Sequence, residues 1–362
     1  MEPKRGTFVW KGEDISAIHE QGLTVQAQSA STPEWARSST PRKFSFRPDS
    51  TPPRDVADFA CFLTAAVRHY KAQVKFWEIW NEPNCVPYWN GSVGEYVDLV
   101  RSAHAAIKAE DAQAEVWTCS TWNMDYKWLG QAMALGILKH SDALAPHGYR
   151  GSPPETWEQD LQDLRALMKK HGGPVRPVVI SEFGYQGVDE PDENTPYLPS
   201  LGFQKGLKLD ERQQAAWMVR TYVITLAGGA RALVWFKFSE RREDNIGPDV
   251  HGLYRLLPLP QPKPALVAYN TMATWLRGSH QPERVLVGNP NVYLYRFECP
   301  DGPRWVAWTV EKNPLTFPLP AGMDSPLDVR KLLGGGERVT AVEGRTFLRL
   351  TGEPVFFRQA AP

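Results

Sequence analysis

Most marks of a special environment or cofactor are missing from this 362-residue chain. Neither sign of charge is in excess: the 41 basic and 41 acidic residues are interspersed, which leaves no footprint for a nucleic acid or an anionic membrane as partner. No apolar run reaches the roughly 18 residues of a membrane span. The opening Met1-Glu2-Pro3-Lys4-Arg5 is not a signal peptide, so the chain as it stands is expected in the cytoplasm, and an upstream segment would reopen that question. Only four cysteines occur, Cys61, Cys85, Cys119 and Cys299, without zinc-site or CxxC spacing, so free thiols are expected and no metal or cofactor is implied. HExxH, P-loop and GxSxG motifs are absent; Gly334-Gly335-Gly336 lacks a following Lys-Ser/Thr and reads as a turn between strands.

What is present is material for a large core. With 42% hydrophobic residues the chain can build a barrel of roughly 250 residues and a smaller domain besides. One stretch organises the rest: the apolar run from Val74 ends in Trp80-Asn81-Glu82-Pro83-Asn84, as a buried strand does when it opens into a loop. About 100 residues later Val178-Val179-Ile180-Ser181-Glu182-Phe183-Gly184 again delivers one glutamate at the end of a β-branched run. Either glutamate alone could be surface decoration. Two strand-end carboxylates suggest a pair, and glycosidic bond cleavage needs one: an acid for the leaving oxygen and a carboxylate that attacks or activates water.

Trp-Asn-Glu-Pro-Asn followed by Ile-Ser-Glu-Phe-Gly resembles the clan A glycoside hydrolases, whose acid/base closes strand 4 and whose nucleophile closes strand 7. The resemblance implies that Glu82 is the acid/base and Glu182 the nucleophile of a retaining enzyme, that Asn81 meets the sugar 2-hydroxyl, and that the substrate is a carbohydrate. His147-Gly148-Tyr149 matches the His-x-Tyr found after strand 6, so His147 would reach a sugar hydroxyl and Tyr149 the nucleophile. Trp235 falls at the aromatic floor beneath the sugar, and Trp35, in Thr32-Pro33-Glu34-Trp35 after strand 3, would sit near the substrate. A packed loop tryptophan is an equal reading of Trp35, and a structural histidine is the plain reading of His147.

Between these motifs strand and helix patterns alternate, which implies a parallel sheet wrapped by helices. Helices are expected over 11–21, 54–71, 94–109, 127–139, 155–171 and 210–226, with strands at 23–28, 74–80, 114–117, 143–146, 177–182 and 231–236. The proline-bearing segment 185–209 reads as a subsite wall or lid. Beyond Gly278 the period becomes two, and a small β-sandwich is expected. The expected fold is therefore α/β: a (β/α)8 TIM barrel over 1–280, lacking its first two strands, and an accessory sandwich over 281–362, of which such domains' usual role is packing support.

The opening residues 1–10 resemble what clan members carry after strand 2. Strands 1 and 2 would then lie upstream of Met1, together with an arginine that many members place beside the nucleophile, and the open barrel edges would invite homo-oligomers. Pro-x-Trp and the sandwich lean toward family 39, the β-xylosidase type; Pro262-Lys263-Pro264-Ala265 suits family 5 glycanases as well. The rival readings are a barrel that binds carbohydrate without cleaving it and an inactive truncated hydrolase. Sugar, anomer and exo or endo action are left open by the sequence.

Overall fold

The structure, a computed structural model, describes residues 1–10, 13–39, 47–189, 207–243, 247–255, 259–320, 322–323 and 326–360. Most of the expected wall or lid, residues 190–206, lies outside the described residues. The chain separates into two compact units, Met1–Gly148 with Gln162–Glu182, and Tyr149–Leu161 with Phe183–Pro362. Among the described residues no helix is long and apolar enough to cross a membrane.

In the first unit, α1 (Glu13–Glu20) leads to β1 (Val25–Ser29), α2 (Val56–Tyr70), β2 (Val74–Ile79), α3 (Val93–Glu110), β3 (Glu115–Thr118), α4 (Tyr126–Ala134) and β4 (Ala143–Leu144). The division of the chain runs through α5 (Trp157–Lys170) and through β5 (Val178–Phe183), between Glu182 and Phe183. The strands are parallel and follow chain order, β1-β2-β3-β4-β5. Local chemistry starts α2 and α3. The Asp55 side chain caps α2 by accepting from the Ala57 amide, and Ser92 with Glu95 forms a reciprocal capping box at α3. The helical spacing then buries Leu63 and Val67 of α2 and Val97, Val100, Ala103 and Ile107 of α3. The helix expected over 127–139 is broken: α4 ends at Ala134, and Gly136, at φ +86°, turns the chain into the 3-10 segment Ile137–His140.

Among the described residues β1 pairs on one side only, with β2, and residues 1–10 contain an isolated Lys4–Thr7 bridge but no strand. Continuous apolar runs are the rule for parallel strands buried on both faces. β1, Val-Gln-Ala-Gln-Ser, and β2, with Glu78 in its interior, depart from that rule on one shared face, since Gln28 stands opposite Glu78 in the register.

In the second unit, α6 (Glu211–Ala227) begins at an Asp210–Gln213 capping box and leads to β6 (Ala230–Trp235), after which the Phe236 amide donates to the Phe183 carbonyl at 2.7 Å. A hairpin that the sequence pattern does not announce follows, β7 (Arg241–Glu243) with β8 (Gly247–Asp249), then the short ladder of β9 (Tyr254–Arg255) with β10 (Gln261–Pro262), and α7 (Pro264–Trp275). Past it comes the sandwich: β11 (His280–Arg284), β12 (Val292–Glu298), β13 (Arg304–Thr309), β14 (Leu315–Pro318), β15 (Leu327–Arg330), β16 (Gly336–Val339), β17 (Phe347–Leu350) and β18 (Val355–Gln359). One sheet runs β11-β12-β13-β18-β15-β16 and the other pairs β14 with β17. Alternation puts Leu294, Val329, Phe317, Leu350 and Phe357 into their common core. A single carboxylate oxygen, Oε1 of Glu155, accepts from Arg220 Nη2 of α6 at 2.5 Å and from the Trp308 indole of β13 at 2.9 Å, which ties helix to sandwich.

Candidate active site

Glu82 follows the end of β2 and Glu182 is the penultimate residue of β5, so each carboxyl is carried by a strand end, where backbone pairing fixes it. The turn that presents Glu82 is unusual. Trp80 (φ 70°) and Glu82 (φ 44°) flank Asn81 in the left-handed region, and Cys119 (φ 60°), just past β3, does the same. Such conformations cost about 1–3 kcal/mol each for a non-glycine residue and persist where surroundings over-determine them. Here the Trp80 amide donates to the Ser29 carbonyl and the Glu82 amide to the Ser120 carbonyl, both at 2.8 Å. Ser120 Oγ returns a bond to the Trp80 carbonyl at 2.8 Å, and Tyr96 OH links the Ile79 carbonyl to the Cys119 amide, each at 3.0 Å.

Between the two carboxylates lies His147. Its amide donates to the Thr121 carbonyl at 2.9 Å, its ring is wholly buried, and Nδ1 stands 3.1 Å from Glu82 Oε1 and 4.0 Å from Glu182 Oε1. Nδ1 and one oxygen of each glutamate all lie within 4.8 Å of one another. Nε2 faces a third carboxylate, Glu78 Oε1, at 3.6 Å. Burial alone would depress the imidazole, but Glu182, Glu78 and Glu82 outweigh it and raise His147 to about 10. Two carboxylates and an imidazole this close also match the spacing of a cation site. A ligating imidazole must be unprotonated, so a cation there would compete with the proton that the surrounding carboxylates favour on His147.

Glu78 is fully buried, and its company supplies the hydrogen bonds that a buried carboxyl needs. Gln28 Nε2 donates to its Oε1 at 2.9 Å and Gln26 Nε2 to its Oε2. Gln28 Nε2 also reaches Asn81 Oδ1 at 3.0 Å, which leaves the Asn81 amide nitrogen to donate elsewhere. Around Glu82, Cys85 is driven up to about 12 by burial and by Glu82, and Tyr88 is raised by the same two causes, so both stay neutral. The four cysteines are free thiols.

Of the residues singled out from the sequence, Glu82, Glu182 and His147 stand together and Asn81 joins them through Gln28 and Glu78. Trp35 sits in the 3-10 turn Glu34–Ala36; its indole donates to the Glu2 carbonyl at 2.9 Å, and Arg5 lies over its ring at 5.3 Å. It lines a cavity of about 420 Å³ whose wall includes Gln28. Tyr149 and Trp235 belong to the second unit, where both rings approach Phe183, at 6.4 and 5.8 Å. The Trp235 indole donates to the His251 carbonyl at 3.0 Å. Sequence reading missed Gln26, Gln28 and Glu78. The signal existed: a charged residue inside an apolar parallel strand beside a neighbour carrying glutamines at i and i+2.

No protein-family model matches the chain. A curated β-xylosidase of Geobacillus stearothermophilus is 24% identical over 258 residues, 62% of this chain and 48% of that protein, so the chain spans about half the length of that relative. Among solved structures, a family 39 glycoside hydrolase from Bacteroides cellulosilyticus WH2 superposes with a TM-score of 0.77 at 17% identity, covering 99% of this chain and 73% of that one. A family 30 subfamily 8 xylanase from Clostridium acetobutylicum gives 0.66 at 14% identity over 99% and 86%. At these identities the likeness establishes the fold. The chain has the α/β architecture of clan A glycoside hydrolases with their β domain, and it resembles family 39.

Proposed function

We propose that the chain is the catalytic part of a retaining glycoside hydrolase acting on β-linked glycosides, oligosaccharides or polysaccharides, with Glu82 as acid/base and Glu182 as nucleophile. One observation carries the reading: oxygens of the two strand-end carboxylates lie within 4.8 Å of each other. Retaining enzymes hold their carboxyls about 5–5.5 Å apart for direct attack, whereas inverting ones leave about 6.5–9.5 Å for a water. Glu182 attacks the anomeric carbon while Glu82 protonates the departing oxygen; Glu82 then takes a proton from the water whose hydroxyl displaces Glu182. By the resemblance, Asn81 is assigned to the sugar 2-hydroxyl, His147 to a sugar hydroxyl, Tyr149 to the nucleophile, Trp235 to the floor beneath the sugar and Trp35 to the neighbourhood of the substrate. Catalysis is assigned to residues 1–280 and packing support to 281–362.

The two glutamates and the relative named a β-xylosidase favour β-xylosides as first substrates. A panel of 4-nitrophenyl β-glycosides tests the reading: turnover of the xyloside supports it. Binding of xylose or xylo-oligosaccharides without turnover of any member would favour the rival, a carbohydrate-binding barrel.

A further inference from the structure

Glu78 has no place in the two-carboxylate scheme, yet it is wholly buried, with Oε1 3.6 Å from Nε2 of the ring whose Nδ1 stands 3.1 Å from Glu82. Building on the reading above, we propose that Glu78 is a positioning residue for the acid/base. It anchors the far nitrogen of His147, so that the proton delivered to the leaving oxygen is one shared between His147 and Glu82 rather than one carried by an isolated carboxyl.

Both oxygens of Glu78 accept amide N–H groups, Oε1 from Gln28 and Oε2 from Gln26, so neither oxygen is left without a donor. A buried carboxylate at Nε2 and a second at Nδ1 call for a proton on each ring nitrogen. The charged groups facing the ring are Glu78 from β2, Glu82 from its exit and Glu182 from β5; together they hold the imidazolium to about pH 10. A carboxyl in water has lost its proton by neutral pH. The His147–Glu82 pair retains one. In the first step that proton leaves Nδ1, passes through the Glu82 carboxyl and ends on the glycosidic oxygen, while Glu182 bonds to the anomeric carbon. His147 is then neutral with its remaining proton on Nε2, toward Glu78. In the second step a water proton returns by the same route as its hydroxyl replaces Glu182. Protons balance over the cycle, and the apparent titration belongs to the pair.

The test has two readouts on the full chain. In ¹⁵N spectra of histidine-labelled protein, with His147 assigned through His147→Gln, the wild-type ring should stay protonated beyond pH 9, and Glu78→Gln should lower its midpoint by at least one pH unit. In kinetics, the basic limb of kcat/KM for a 4-methylumbelliferyl glycoside should move to lower pH in Glu78→Gln with the acid-side plateau kept within about threefold, while a 2,4-dinitrophenyl glycoside, whose leaving group needs no proton, should lose little. An unchanged His147 midpoint in a folded Glu78→Gln protein overturns the proposal, as does a uniform loss for both substrates. If Glu78→Gln does not fold, Gln26→Met removes one donor to Glu78 and should shift the midpoint in the same direction by less; no shift overturns the proposal. The spectra need no substrate, so wild-type protein that cleaves no glycoside while its ring titrates as stated would overturn the hydrolase reading and leave the Glu78–His147 coupling standing.

Discussion

His147 is the residue on which the site's electrostatics turn, because it places one buried cation among three carboxylates. Its titration is a stability term in its own right. The folded value of about 10 lies above the ordinary histidine value of about 6.5, so the stabilisation is complete below about pH 6.5 and disappears as pH rises through about 10. Between pH 7 and 10 the wild-type Tm should therefore fall more steeply than that of His147→Gln. Parallel curves would contradict the assigned charge. At Glu182 the expectation concerns rate: Glu182→Ala should cut kcat by about 10⁴-fold with little change in ligand affinity, because the lost group acts mainly in the transition state. The glutamates and His147 were legible in the sequence because strand ends announce themselves by apolar runs that stop. Glu78 was not, since its meaning depends on which strand lies beside β2, and no local pattern reveals that Gln26 and Gln28 face it.

At the scale of elements, the strand and helix order was legible because strands such as β3 and β5 are apolar and buried while helices such as α2 and α3 carry an apolar stripe. The hairpin β7–β8 escaped because Arg241–Glu243 and Gly247–Asp249 show neither apolar alternation nor apolar runs. α4 came out short because helical propensity through Leu135 gives no warning that Gly136 adopts φ +86°. The sandwich was legible by its period of two, but its contacts with α6 were not: Arg212 pairs with Glu353, and Glu155 bridges Arg220 to Trp308. Breaking the Glu155 bridge should be costly: Arg220 is only 7% exposed, and Glu155→Ala would leave its charge buried without this partner. The expected loss is about 3 kcal/mol in denaturant unfolding, the usual cost of removing one partner of a buried pair. A loss below about 0.5 kcal/mol would show that water replaces the carboxylate.

At the scale of the whole molecule the edge of the parallel sheet matters: among the described residues β1 is bonded only to β2, its Val25, Gln26 and Ala27 are half-buried and Gln28 is exposed. Free edges of this kind template pairing with another chain, so self-association is expected in light scattering, and Ala27→Lys, which sets a charge on the edge, should reduce it. A strictly monomeric wild type would contradict that expectation. The central claim, that Glu182 forms a covalent glycosyl-enzyme, is tested most directly by trapping. After incubation with 2,4-dinitrophenyl 2-deoxy-2-fluoro-β-xyloside, peptide mass spectrometry should find one fluoroxylosyl group on Glu182. The same label on Glu82, or no label while the enzyme turns over β-xylosides, would contradict it.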